Sequence, residues 1–591
     1  MRAVTAVLAA SAIIIPTLPS PAGAAGPAPS GPQNGSGTPT KTLDISAVKT
    51  PTLEWKTCAE KQLRDLKCAT VLLPLDYSKP DGDKIEVHVA KKAATGKKKG
   101  VVFTNPGGPG QLASRQLTNL ASIMGNRVTE QYDVIGVDPR GVHVTTRTRC
   151  WSDQPAPPGK DRHFPITAEQ TREQHRFNVF YRDACAKTSR PIIDHISSAQ
   201  VARDMEMIRR ALGEKTINYY GISYGTFLGA TYAALFPNRV GRMVNDGVLD
   251  PVAWSTGHGK DGETQPVTAR YGPAEESAKT LQAAFAECKK AGPNACPHST
   301  TVEKEWGEVL DRLRKGPFVK DGETLTFDGW IRKAALLMYD TRGYRNLMIL
   351  THQTWEAMAK QPAPPQAPSS TTTPTATSTA PTAPPAAPTT TTRSTRAATA
   401  PAAPSAVSAP PAVRGDEQQS LVGPLLGIPA ADTPIRPVVP PTGRPSWSEV
   451  PGLLAVLCSD TKNPNDPKVW DAYSTPDALR KNPFQAYWAW GTSICANWPG
   501  RDRNVYQGPF DTKLANPMLV IGNTHDPATP LRNAQALAKL SPGARLLTVD
   551  VFGHVAGNKN RCASKAIETY LADGKLPAQG ATCKPDQPLF S

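Results

Sequence analysis

The five residues Gly221-Ile222-Ser223-Tyr224-Gly225 constrain this chain more than any other stretch. Before them runs Ile217-Asn218-Tyr219-Tyr220, rich in β-branched and aromatic side chains. After them comes Thr226 to Phe236, small and apolar, stopping at Pro237. The first pattern predicts a strand and the second a helix. The G-x-S-x-G spacing between them predicts a sharp turn, because a Cβ at either glycine would collide with the neighbouring strand or helix. Ser223 is then expected to stand exposed on the turn, with the Tyr224 N–H and the helix N-terminus beneath it. A serine so placed is a candidate nucleophile, and so short a match gains meaning only from partners elsewhere in the chain.

Two stretches of the 591 residues are set aside before the fold is read. Arg2, the apolar run Ala3 to Ile15 and Ala22-Gly23-Ala24 form a secretory signal pattern, giving a signal peptide over residues 1–24. The run is shorter than the ~20 residues a bilayer requires, and Pro16 and Pro19 break it, so no transmembrane segment is expected after cleavage. Residues 25–45 are Gly, Pro, Ser and Thr, too poor in apolar groups to offset ordering entropy, and are expected to form a flexible leader.

Ten cysteines fit an oxidising exterior. None falls in a C-x-x-C pair, which argues against zinc and thioredoxin-type redox chemistry, and no metal or cofactor is expected. Spacing alone does not fix connectivity; the expectation is sequential pairing, Cys58–Cys68, Cys150–Cys185, Cys288–Cys296, Cys458–Cys495 and Cys562–Cys583. The formal net charge of +16 raises the question of a polyanionic partner, but the basic residues are scattered and the one dense run, Lys97-Lys98-Lys99, lies beside a predicted strand. A solvated surface accounts for them, and no nucleic-acid function is expected.

Along the chain, Thr70 to Tyr77 and Lys84 to Ala90 predict an antiparallel opening, the second with clean alternation. Gly100 to Thr104 and Tyr132 to Asp138 are short continuous apolar runs, as in strands covered on both faces. The glycine-rich Asn105 to Gly110 follows the first of these, and its bare N–H groups suit an oxyanion. Val201, Met205, Ile208 and Leu212 recur at helical spacing before the Ser223 strand, and Val240 to Val248 is a further strand after it. Such alternation predicts an α/β fold, a mostly parallel sheet with helices on both faces. Residues 46–252 form its first part. Residues 253–505 are helical and irregular, as expected of an inserted cap, and contain a Pro/Ala/Ser/Thr tract at 361–413 that cannot build a core and is expected to be disordered. Sheet pattern returns in 506–591, with Pro517 to Gly522 and Arg545 to Val551 as strands and Ala534 to Leu540 as a helix.

Asp526 and His554 each follow one of these last strands. The order Ser223, Asp526, His554 is that of an α/β-hydrolase triad, in which the histidine takes the serine proton and the acid fixes the histidine tautomer. The chain at this point resembles the secreted bacterial tripeptidyl aminopeptidases, relatives of the proline iminopeptidases. The resemblance rests on Asn105-Pro106-Gly107-Gly108-Pro109-Gly110, Asp138-Pro139-Arg140-Gly141, Gly221 to Thr226, Asp526-Pro527-Ala528-Thr529-Pro530, Gly553-His554 and Tyr570 to Pro577. It spans most of residues 50–360 and 445–591. Gln111, Leu112 and His143-Val144-Thr145 depart from the usual small residues, and the 361–413 tract is extra.

The resemblance implies an exopeptidase that uses no metal and takes peptide or protein N-termini as substrate. It places the oxyanion hole at the backbone N–H groups of Tyr224 and Gly108. A carboxylate must also meet the substrate's ammonium, and the cap offers Glu263, Glu275, Glu276 and Asp460. The rival within enzymes is a secreted esterase or lipase on the same machinery, since fold does not settle substrate. A non-catalytic cell-surface binding module, suggested by export and the Pro/Thr-rich tract, has no need of three triad residues in order. The expected location is extracellular, with cell-wall association open; the sequence leaves oligomeric state unread.

Overall fold

The computed structural model describes residues 43–143, 148, 150–159, 161–361, 447–448 and 452–591. The expected signal peptide, nearly all of the leader and the 361–413 tract beyond Gln361 lie outside the described residues.

A ten-stranded sheet dominates. Its strands are β1 (Lys56–Thr57), β2 (Lys67–Pro74), β3 (Lys84–Lys92), β4 (Gly100–Asn105), β5 (Tyr132–Val137), β6 (Ile217–Ile222), β7 (Val240–Asp246), β8 (Leu519–His525), β9 (Arg545–Phe552) and β10 (Thr582–Cys583). They lie in the order β1-β2-β3-β5-β4-β6-β7-β8-β9-β10. The pairs β1-β2, β2-β3 and β3-β5 are antiparallel and all later pairs are parallel. Strand order reverses at β4, and ligands bind at the carboxyl ends of strands beside such a reversal. Register lines those ends up: Asn105 lies opposite Gly221, Ile222 opposite Asp246 and Asp246 opposite Ile521. The loops that carry the candidate residues therefore emerge on one edge.

Period-two alternation divides the apolar side chains between two cores. Val101, Phe103 and Tyr219 pack on one face with helices Ser198–Ala211 and Tyr224–Leu235, while Val102, Tyr220 and Ile521 pack on the other with helices Ala113–Met124 and Arg561–Asp573. Filling both faces explains why the central strands read as unbroken apolar runs. The Arg of the D-P-R-G motif, Arg140, is buried and serves this framework, its Nε donating to Asp204 at 2.8 Å and its Nη1 to the Leu75 carbonyl at 2.8 Å. The Lys97–Lys99 run is also structural in part, since Lys98 pairs with Glu214 at 2.9 Å and Asp133 at 3.3 Å.

Between β7 and β8 the chain builds a helical layer with its own core around Trp306, Trp330, Trp470 and Trp488. Helix Phe327–Leu337 illustrates why. Phe327, Trp330, Ile331, Ala334 and Ala335 form one buried stripe, and the Thr326 side chain accepts the Gly329 N–H at the N-cap. Removing such a cap costs ~1 kcal/mol. Ala528 belongs to this third core and Phe552 packs against it, so the layer grips the loops after β8 and β9. Five disulfides join Cys58–Cys68, Cys150–Cys185, Cys288–Cys296, Cys458–Cys495 and Cys562–Cys583.

Candidate active site

Ser223 occupies a strained turn between β6 and helix Tyr224–Leu235, with φ 55° and ψ −129°. Both flanking glycines are sterically required. A Cβ on Gly221 would lie 2.5 Å from the Gly225 carbonyl oxygen, and one on Gly225 would lie 2.5 Å from the Asn105 carbonyl oxygen. The turn is pinned by the Ser223 N–H, which donates to Asp246 O at 3.0 Å, and by Thr226, whose N–H and Oγ1 donate to Ser223 O at 2.9 and 2.6 Å. Ser223 is not exposed as the sequence led us to expect, retaining 5 % accessibility. The glycine loop lies against it, and Tyr339 of the inserted layer packs edge-on against the neighbouring His554 at 5.1 Å.

Opposite the turn, the loop after β4 brings Gly107 so close that a Cβ there would sit 2.9 Å from Ser223 Cβ and 3.2 Å from the Tyr224 nitrogen. The Gly107 N–H is committed to Asn105 Oδ1 at 2.9 Å. The amides of Gly108 and Tyr224 have no acceptor among the described residues, so both remain available to donate. The loop is braced from behind. Asp138, at the end of β5, accepts the Ser114 N–H at 2.9 Å and its hydroxyl at 2.8 Å, and burial raises its carboxyl to about 6.

Asp526 follows β8 and is fully buried. It accepts the N–H groups of Ala528 and Thr529 at 2.9 Å each and the Thr529 hydroxyl at 2.8 Å. His554 Nδ1 stands 2.9 Å from Asp526 Oδ2 and 3.0 Å from Oδ1. Facing a carboxylate, Nδ1 carries the proton and Nε2 is left as a base. Burial works to raise the Asp526 carboxyl, but the His554 charge and these hydrogen bonds outweigh it and hold the group below its ordinary value. Nε2 is buried and has no hydrogen-bond partner, Ser223 Oγ included. Triad contacts of this kind are often open in the free enzyme and tighten when substrate binds.

The histidine loop is held from three sides. His554 N donates to Tyr339 O at 3.0 Å, Lys559 Nζ donates to His554 O at 2.7 Å, and buried Asp246 accepts the N–H groups of Ala556 and Gly557 at 2.9 Å each. Sequence reasoning missed Asp246 and Thr529 as supports. The signals available were an Asp at the end of an apolar strand and a Thr three residues after the acid.

The four cap carboxylates are not equivalent. Glu263 is exposed and pairs with Lys462 at 2.8 Å. Glu275 is exposed and pairs with Arg532 at 3.7 Å. Asp460 is buried under the helix that follows Ser223, hydrogen-bonded to Ser198 and Tyr224, and so is unavailable to a substrate amine. Glu276 alone of the four is half-buried without an ion pair. Burial raises its carboxyl above the ordinary range, with the charge of Asp526 adding to the effect and Lys279 and Arg532 opposing it. Its helix, Pro273–Ala295, is tied to the acid loop by Ser277 Oγ, which donates to Pro527 O at 2.7 Å. Among the described residues no group of three or more His, Cys, Asp or Glu is arranged to hold a metal ion.

Two family profiles match the chain, one described as alpha/beta hydrolase fold over residues 100–266 and one described as TAP-like protein over residues 481–583. The chain is 28 % identical to a tripeptidyl aminopeptidase of Streptomyces lividans, over 90 % of its own length and 87 % of the relative's. It is 26 % identical to the serine protease Hip1 of Mycobacterium tuberculosis, over 87 % of each chain. It is 28 % identical to a protein of the same species named carboxylesterase B, over 91 % of each.

Proposed function

Because the chain is a serine hydrolase of the α/β-hydrolase fold, related along most of its length to tripeptidyl aminopeptidases, we propose that it is a secreted exopeptidase releasing short peptides, chiefly tripeptides, from free N-termini. In this reading Ser223 Oγ attacks the scissile carbonyl while His554 Nε2 takes its proton, and Asp526 stabilises the imidazolium. The Tyr224 and Gly108 amides receive the tetrahedral oxygen at about 3 Å. His554 then protonates the leaving amine, and water repeats the sequence on the acyl-enzyme.

The observation that carries the proposal is the state of His554. Its Nδ1 is bound to a buried carboxylate and its Nε2 is buried and unpaired, on a loop tied to the same Asp246 that pins the Ser223 turn. Glu276 supports the exopeptidase reading in particular, because an unpaired, half-buried carboxylate beside the acid loop is suited to a substrate ammonium. Five disulfides support export, and among the described residues no helix is long and apolar enough to cross a membrane.

The relative named carboxylesterase B keeps an esterase as the second reading. A library of anilides and esters, each with free and with acetylated N-termini, separates the two. Tripeptide anilides with a free amine are expected to be cleaved and their acetylated counterparts to resist. Hydrolysis of simple esters with no cleavage of any peptide would refute the exopeptidase.

A further inference from the structure

Asp460 ends helix Gly452–Asp460, in the segment inserted between β7 and β8, two residues after Cys458 of the Cys458–Cys495 disulfide. Its carboxylate is 1 % exposed, yet among the described residues no Lys, Arg or His pairs with it. It accepts the Ser198 N–H at 2.7 Å and the Ser198 hydroxyl at 2.6 Å. The Tyr224 hydroxyl lies 3.4 Å from the same Oδ2 and closer still to Ser198 Oγ. With one proton on each hydroxyl, the chain that satisfies every acceptor runs from Tyr224 to Ser198 to Asp460. Ser198 opens helix Ser198–Ala211, so the carboxylate also caps the first amide at that N-terminus.

Tyr224 is the residue whose backbone N–H faces the expected oxyanion. Its ring is buried against Phe227 and Trp254, and its hydroxyl is its only polar handle. Fixing that hydroxyl at one end and the strained Ser223 turn at the other fixes the peptide plane between them. We propose that Asp460 is a positioning residue for the oxyanion site, holding the Tyr224 side chain so that the Tyr224 amide keeps its aim at the tetrahedral oxygen. The carboxylate comes from the inserted segment and the amide from the turn after β6, so the insertion sets the geometry of a donor it does not touch. Burial raises the Asp460 carboxyl to about 7 against the opposing hydrogen bonds from Ser198, and the nearby Asp502 adds to the rise. A polar group so costly to bury is better explained by a specific contact than by filling space.

This inference rests on the triad proposed above, and the test separates the two. Y224F and D460N are compared with wild type and S223A on a tripeptide anilide, with melting temperature and near-ultraviolet circular dichroism as checks on folding. Y224F removes one oxygen from an otherwise unchanged ring, so it remains informative if D460N fails to fold. Expected for both is a kcat lowered by about tenfold with KM within about twofold, less than the 10²–10³ of losing a donor outright because the amide is misaimed rather than absent. A tripeptide aldehyde, whose tetrahedral adduct places its oxygen in the hole, is expected to lose affinity by the same factor as kcat. A merely structural role would lower melting temperature without that proportionality. Full kcat in Y224F and in folded D460N beside an inert S223A would overturn the inference alone. An S223A protein that still cleaved the anilide would overturn the triad, and this inference with it.

Discussion

Gly107→Ala tests the site where its tolerances are smallest. The new Cβ would lie 2.7 Å from the Ile222 carbonyl oxygen, 2.9 Å from Ser223 Cβ and 3.2 Å from the Tyr224 nitrogen. An ordinary contact begins near 3.4 Å, so the glycine loop and the Ser223 turn must part by about 0.7 Å. Neither side yields readily, since the turn is pinned to Asp246 and Thr226 and the loop to Asn105 and, through Ser114, to Asp138. The backbone φ of +89° adds a strain of about 1–2 kcal/mol for any L-residue with a side chain. Parting the two walls also separates the Gly108 and Tyr224 amides, and a donor displaced by that much from a ~3 Å hydrogen bond is largely lost. We expect kcat to fall about 10²-fold with KM changed by less than about threefold, and stability to drop by about 2–4 kcal/mol. Steady-state kinetics on a tripeptide anilide, with denaturant unfolding in parallel, reads both. G107A with kcat within tenfold of wild type would show that these walls do not frame the oxyanion.

S223A is expected to retain the fold and lose at least ~10⁴-fold in kcat, followed by anilide turnover and fluorophosphonate labelling. Gly108→Val, at φ +108° and with a Cβ that would meet the Gly110 nitrogen at 3.0 Å, should lower kcat ~10²-fold with a smaller change in KM. Glu276→Gln should raise KM for free-amine tripeptides by about tenfold and leave kcat within about threefold, on the scale of one lost charge-assisted contact. Asp460 titrates near 7 when folded against an ordinary 3.8, so the folded state binds the extra proton and stability falls as pH rises between those values. Denaturant midpoints measured from pH 4 to 8 should show that decline in wild type and a flatter profile in D460N.

The turn around Ser223 was legible because its signal is local: two glycines, a strand before and a helix after, each dictated by sterics within ten residues. The order of acid and histidine was legible because each follows its own strand. What the sequence hid depends on contacts between distant segments. Asp246 supports a loop more than 300 positions away, and nothing in its own neighbourhood marks it. Ser223 was expected in the open because the inserted layer's grip on the last two loops is written in tryptophans with no register against the sheet. Glu276 and Asp460 looked alike as cap carboxylates. One is half-buried on the helix tied to the acid loop and the other is sealed under a helix, a difference of packing rather than of residue type.

The disulfides have a consequence for how the molecule comes apart. Each closes a loop of 8 to 37 residues, and none crosses the interval from Cys296 to Cys458. A single proteolytic cut in that interval would give two polypeptides with no covalent link, Ser223 on one and Asp526 and His554 on the other. They would stay joined through the pairing of β7 with β8 and the cores on either side of it. The nicked enzyme would run as two bands on a denaturing gel even without reductant. Its unfolding would become a dissociation, so its melting temperature would rise with protein concentration, where that of the intact chain would not.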